Sequence, residues 1–227
     1  MTAVVLIHSP LTGPTLWHPV ANVLTRFGSV VRVPELDARA NPTWEGLAQS
    51  VVDQLTGKLP NEGTLLMAHS ASGALLPLLK DRMKRIQGLI YLDATLPGNE
   101  GSMLGLRTPE ERAAVLESVT DGVVPAWGES FSDELWQSLV PEAELRARFR
   151  AELKPTPLSL FHAAISPTPE AMDIPGAYLQ LSPFYAREAA LAKARGWPVE
   201  QIDAHHLQML ADPVAVTYAI LRLASNF

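Results

Sequence analysis

A serine stands where an apolar run gives way to a helical pattern, in Leu65-Leu66-Met67-Ala68-His69-Ser70-Ala71-Ser72-Gly73. On a sharp strand-to-helix turn a serine hydroxyl points outward as a nucleophile. The backbone N–H of the next residue, Ala71, then lies at a helix N-terminus, where it can stabilise an oxyanion. Such a turn is crowded, so the positions two before and two after the serine must be small; here they are Ala68 and Ser72. The segment has a second reading, an N-cap serine between an ordinary strand and helix. Two other segments carry groups of matching chemistry. Asp203-Ala204-His205-His206-Leu207-Gln208-Met209-Leu210-Ala211-Asp212-Pro213 offers two histidines between the last strand and the last helix, where a proton acceptor for Ser70 would be needed. A lone loop histidine also reads as a solvated or structural residue. Ile7-His8-Ser9-Pro10-Leu11-Thr12 follows the first strand and would face the same cleft.

These segments are positioned by an alternation of strands and helices. Ala3 to Ile7 and Thr64 to Ala68 are continuous apolar runs, as in strands buried on both faces. Val30 to Val33 and Leu89 to Leu92 read as strands too. Trp17 to Phe27, Trp44 to Leu55 and Ala71 to Arg85 have helical spacing, the last with Pro77 inside it. This rhythm predicts an α/β protein with a mostly parallel sheet and helices on both faces. It breaks from about Thr95 to Asp173, where helical pieces at 109–119, 132–139 and 141–153 are separated by Pro, Gly and charged residues. We read residues 95–173 as a helical cap inserted into a core made of 1–94 and 174–227. The core resumes with a strand at Gly176–Leu181, a helix from about Tyr185 to Arg195, a strand at Val199–Ile202 and a helix at Pro213–Ser225.

Composition narrows the function. The 227 residues carry 24 acidic and 18 basic side chains, a net charge of −6, which lacks the basic footprint of a nucleic-acid binder and disfavours anionic membranes. Cysteine is absent, which removes disulfides, thiolate zinc sites and a cysteine nucleophile. No metal-ligand spacing and no phosphate-cradling glycine loop occurs, so neither metal nor cofactor is expected. The N-terminus lacks a cationic n-region, and no apolar stretch reaches the roughly 18 residues of a membrane helix. The expectation is a cytoplasmic protein with a small apolar substrate as its partner; oligomeric state is not legible.

The chain resembles the α/β-hydrolase superfamily over nearly its whole length, nearest to the small capped branch of plant methylesterases and hydroxynitrile lyases. Those proteins have a strand, then His-Gly and a Trp some nine residues after the His; here stand His8-Ser9 and Trp17. Their Gly-His-Ser-x-Gly-Gly elbow matches Ala68-His69-Ser70-Ala71-Ser72-Gly73. Their Asp-His-x-x-Met-Leu-x-x-Pro pattern aligns on Met209, Leu210 and Pro213 and so selects His206, rather than His205, as the base. The resemblance implies Ser70 and His206 as catalytic residues and Ala71 as an oxyanion donor.

Two departures matter. The family places its acid just after the strand that follows the cap, and Phe184 stands there; Asp93, ending the preceding strand, is at the alternative place some superfamily members use. Asp93 reads equally as a loop carboxylate satisfying backbone N–H groups, and Glu188 is an outside candidate on the following helix. The residue after His-Gly commonly gives the second oxyanion N–H, and Pro10 has none. That donor must come from Leu11 or from a hydroxyl of Ser9 or Thr12, or it is missing. Among the aromatic residues of the cap, Trp127, Trp136 and Phe161 read either as core of the insertion or as the wall of an apolar substrate pocket. The first expectation is a serine hydrolase for a small or medium apolar ester, thioester or lactone. The alternatives are a lyase-type enzyme using Ser70 and His206 as a proton shuttle, and a ligand-binding protein without turnover.

Overall fold

The computed structural model describes residues 3–96, 102–105, 107–164 and 175–227. β1 (Ala3–Ile7), β2 (Val30–Arg32), β3 (Thr64–Ser70) and β4 (Ile86–Ala94) alternate with α1 (His18–Arg26), α2 (Trp44–Leu55) and α3 (Leu75–Arg82). Next come α4 (Pro109–Glu117), β5 (Val123–Val124), α5 (Asp133–Leu139), α6 (Ala143–Glu152), β6 (Thr156–Pro157) and α7 (Leu158–His162). The chain closes with β7 (Gly176–Gln180), α8 (Ala186–Ala194), β8 (Val199–Gln201), the short α9 (Gln208–Ala211) and α10 (Pro213–Ala224).

Six strands form one parallel sheet in the order β2-β1-β3-β4-β7-β8. The continuous apolar runs of β1 and β3 are explained by burial on both faces. Val5, Ile7, Leu66 and Ala68 pack with Trp44, Leu47 and Val51 of α2 and with Leu75, Leu76 and Leu79 of α3. Val4, Leu6, Leu65 and Met67 turn the other way, onto Trp17, Val20 and Leu24 and onto Val216, Ile220 and Leu223 of α10. Each large apolar side chain so buried stabilises the fold by about 1.5–3 kcal/mol. Helix starts are set by side-chain caps: Thr43 accepts from Gly46 N–H at 3.0 Å, and Thr108 and Glu111 close a reciprocal capping box.

The order reverses between β1 and β3, so the crevice of this doubly wound sheet opens at their carboxyl ends, which carry the Ser9 loop and Ser70. The helix expected from Ala71 to Arg85 differs in detail. Ala71–Ala74 is a 3-10 turn, and α3 proper starts at Leu75. Pro77 thus falls in the first turn of α3, where its missing N–H breaks no helical bond. A Cβ on Gly73 would come within 2.1 Å of the Thr95 carbonyl oxygen, so only glycine lets the elbow pack against the end of β4.

Among its described residues the segment between β4 and β7 carries no strand of the main sheet; β5 and β6 form a two-residue antiparallel ribbon. It is tied down near the carboxyl ends of the strands. The Glu152 carboxylate accepts from Thr15 N–H at 2.9 Å and from Thr15 Oγ1 at 2.6 Å, and Trp44 Nε1 donates to Ala163 O at 3.3 Å. The expected boundary between 173 and 174 lies outside the described residues.

Candidate active site

β3 ends on Ser70 with φ 61° and ψ −133°, a positive-φ conformation that residues other than glycine rarely adopt. The strain is of order 1–3 kcal/mol and is held by what surrounds the turn. Ser72, fully buried, donates from Oγ to Ile7 O and His69 O, both at 2.8 Å, and so laces the elbow to the end of β1. The small side chain that crowding demanded at this position is therefore also a cross-strand fastener. Ala71 opens the 3-10 turn, and the first N–H groups of a helix have no partner within it.

Asp93, the penultimate residue of β4, also has a positive φ, 43°, and is fully buried. Its Oδ1 accepts the backbone N–H of Leu181 (2.9 Å) and Ser182 (3.0 Å). Its Oδ2 accepts Ser182 Oγ–H (2.5 Å) and His206 Nδ1–H (2.8 Å). Four donors around one buried carboxylate replace the water it has lost. The next residue is clamped as well: Tyr178 OH donates to Ala94 O at 2.8 Å and accepts Ala94 N–H at 3.0 Å. Burial and the neighbouring Asp93 push the Tyr178 phenol far above its usual range, so it stays a donor.

His206 lies in the loop after β8, with its Nδ1 committed to Asp93 and its ring 6.3 Å from that of Trp127. His205 points elsewhere: its Nδ1 accepts the Leu207 N–H at 3.2 Å. His69, buried beside Ser70, donates from Nε2 to the His206 carbonyl at 2.9 Å and packs its ring 4.2 Å from the His206 ring. Burial holds the His69 pKa well below its ordinary value, so it is a neutral strut for the His206 backbone. His8 is a second buried strut. It donates from Nδ1 to Ser9 O at 2.8 Å and accepts Leu36 N–H at Nε2 at 3.1 Å, and burial lowers its pKa to about 4.

Tyr185, which sequence reasoning passed over, enters the site. Its phenol shares a 3.2 Å hydrogen bond with Ser70 Oγ, and its ring stacks on His206 at 5.2 Å and 14°. The 3-10 turn Pro183–Tyr185 sends Phe184 out, 62% exposed, and Tyr185 in, 8% exposed. Ser70 and His206 themselves share no hydrogen bond in the structure. Glu188 sits on α8, half-buried, with no described bond to His206.

The loop after β1 narrows the choice of a second oxyanion donor. Leu11 N–H is taken by Ser9 Oγ at 3.2 Å, and both Thr12 N–H (3.0 Å) and Thr12 Oγ1–H (3.2 Å) are given to Ser9 O. No acceptor for the Ser9 hydroxyl hydrogen is found among the described residues. Pro10 and Thr12 line a separate polar cleft with Glu35, Asp37 and Lys154. Of the aromatic candidates, Trp127 and Phe161 line a cavity of about 760 Å³ together with Leu11, Val115, Val124 and Phe131. Trp136 does not; it is 1% exposed and packs on Phe149 and Phe131 in the layer below. His18 and His162 are exposed. Among the described residues no three His, Cys, Asp or Glu side chains are grouped to hold a metal, and no helix is long and apolar enough to cross a membrane.

No family model matches the chain, and no curated protein does. Solved structures do. An extracellular α/β-hydrolase from a Paenibacillus species, described as sharing structural and functional homology with tobacco salicylic acid binding protein 2, superposes with TM-score 0.79 at 18% identity, covering 98% of this chain and 99% of that one. A methylesterase from Arabidopsis matches at TM-score 0.72 and 18% identity, covering 100% of both chains. Tomato methylketone synthase I, complexed with 2-tridecanone, matches at TM-score 0.74 and 16% identity, covering 100% of this chain and 98% of that one. With its parallel six-stranded sheet, its serine elbow at the end of β3 and these full-length superpositions, the chain has the α/β-hydrolase fold.

Proposed function

We propose that this protein is a serine hydrolase acting on a small or medium apolar ester, thioester or lactone, with residues 95–173 serving as a cap over the cleft. The observation that carries the reading is the 2.8 Å bond from His206 Nδ1 to buried Asp93, on a histidine whose ring lies beside the Ser70 elbow. With the Nδ1 proton held by Asp93, the Nε2 lone pair is left to accept the Ser70 proton. Ser70 Oγ attacks the carbonyl carbon. The oxyanion forms against Ala71 N–H, with the Ser9 hydroxyl as the second donor. His206 then returns its proton to the departing alkoxide or thiolate, and water repeats the cycle on the acyl-enzyme. The cavity lined by Leu11, Trp127 and Phe161 suits an apolar acyl or alkyl group.

The test is labelling with a fluorophosphonate followed by mapping of the modified residue. The expected result is one adduct, on Ser70, abolished in Ser70→Ala. Two observations favour a second reading, a non-acyl proton shuttle: Ser70 Oγ bonds Tyr185 rather than His206, and Pro10 has no N–H to give the oxyanion. Substrate turnover without any Ser70 adduct would move the assignment to that reading.

A further inference from the structure

We propose that the Tyr185 hydroxyl is the hydrogen-bond donor to the leaving-group oxygen. This rests on the serine hydrolase reading and adds a fifth side chain to the Ser70, His206, Asp93 and Ser9 of its chemistry. Strand order decides which side of Ser70 the phenol serves. Ser70 ends β3. On one flank lies β1 with the Ser9–Leu11 loop, and on the other lie β4 with Asp93 and β7 with the turn to Tyr185. A carbonyl carbon bonded to Ser70 Oγ turns its oxygen toward Ala71 N–H and the β1 loop. Its alkoxy oxygen must then turn toward the flank that holds His206 and Tyr185. Tyr185 OH, 3.2 Å from Ser70 Oγ and on a ring stacked against the imidazole, is within reach of that oxygen.

The step balances without a new reactant. The tetrahedral intermediate collapses, the bond from carbon to alkoxy oxygen breaks, and its electron pair goes to that oxygen. His206 delivers from Nε2 the proton it took from Ser70. Tyr185 transfers nothing; it donates a hydrogen bond to the growing negative charge. Burial pushes its pKa up to about 12, which keeps the phenol protonated through the cycle. In deacylation water takes the place of the leaving group and meets the same hydroxyl.

The measurement is kcat/KM of wild type and Tyr185→Phe on ethyl, phenyl and 4-nitrophenyl butyrate. Phenylalanine keeps the ring stacked on His206 and removes only the donor. A poor leaving group needs the bond, and nitrophenolate, a stable anion, does not. The expected loss is about 100-fold on the ethyl ester, intermediate on the phenyl ester and under about threefold on the 4-nitrophenyl ester. Fluorophosphonate labelling of Ser70, which expels fluoride, should keep its wild-type rate. Equal losses on all three esters, or slowed labelling, would mean that Tyr185 positions Ser70 or serves the oxyanion, and would overturn the proposal. No loss on any ester overturns it as well. If the wild-type protein hydrolyses none of the three and a fluorophosphonate leaves Ser70 unmodified, the hydrolase reading itself fails, a result distinct from activity that Tyr185→Phe leaves unchanged or lowers evenly.

Discussion

Asp93→Asn separates the chemical role of the carboxylate from its structural one. Oδ1 faces two fixed backbone donors, Leu181 N–H and Ser182 N–H, so the amide oxygen of an asparagine must take that place. The amide NH2 then falls at the Oδ2 place, opposite Ser182 Oγ and His206 Nδ1. The serine hydroxyl can reverse and accept. The imidazole can meet an NH2 only with a bare Nδ1, which moves its proton to Nε2 and leaves nothing to accept the Ser70 proton. Loss of the right tautomer costs up to about 10⁴-fold in kcat, about 5 kcal/mol of barrier. Stability should hold within about 1 kcal/mol, because both backbone bonds survive and asparagine tolerates φ 43° at least as well as aspartate. Asp93→Ala is the contrast: it strands two buried N–H groups and puts a Cβ-only residue at positive φ, about 3–6 kcal/mol of destabilisation. The assays are turnover of a 4-nitrophenyl ester and urea denaturation on the same samples. An Asp93→Asn protein that is stable and keeps more than a tenth of wild-type kcat would refute the tautomer argument.

The remaining expectations follow from neighbouring contacts. His206→Ala should lose nearly all turnover while His205→Ala stays within about tenfold, since only His206 meets Asp93; the reverse ranking in the same ester assay would reassign the base. Ser9→Ala should lower kcat about 10²-fold with little change in KM if its hydroxyl is the second oxyanion donor; an unchanged kcat removes it from that role. Acid should destabilise the fold. The folded His8 pKa, about 4, lies below the unfolded value of 6.5, so the unfolded chain binds the proton first. The stability present above pH 6.5 falls as pH drops toward 4, by about 2 kcal/mol at pH 5 and about 3 kcal/mol in full from this one group. Urea midpoints at pH 7 and pH 5 measure the drop, which His8→Gln should shrink; an unchanged drop in that variant assigns it to other groups.

Much of the scaffold is written in local pattern. Ala3–Ile7 and Trp44–Leu55 have the same limits in sequence and structure because each is a single periodic run with a sharp change of composition at its ends. Ser70 was legible because its turn demands small neighbours that the sequence supplies. Asp93 could be nominated because it closes a buried run at the place where some members of the superfamily that the chain resembles carry their acid. Its partners could not be read, since three of its four bonds go to Leu181 and Ser182, where two of the donors are backbone groups and carry no side-chain signature. The Leu11 N–H was a fair candidate donor until the Ser9 hydroxyl was found to occupy it, a contact between near neighbours that no periodicity encodes. Trp136 and Phe161 look alike in sequence and both are buried, at 1% and 2% exposed, but only Phe161, on α7, also lines the cavity. Tyr185 left one trace: a 3-10 turn opened by Pro183 faces adjacent residues differently, so one of Phe184 and Tyr185 had to turn inward.

The clamp on Ala94 has a mechanical consequence. Ala94 and Thr95 are both held to the core before the following segment leaves it. Ala94 is gripped at both N and O by Tyr178, and Thr95 N–H is fixed to Ser70 O at 3.0 Å. Asp93 is therefore followed by two residues whose backbone is pinned by the core. Its reach to His206 is set by the end of β4, by Leu181 and Ser182 just after β7, and by the His69 bond to the His206 carbonyl. The placement of the carboxylate thus rests on Tyr178, Ser70, Leu181 and Ser182, all of the core on either side of β4 or at the end of β7.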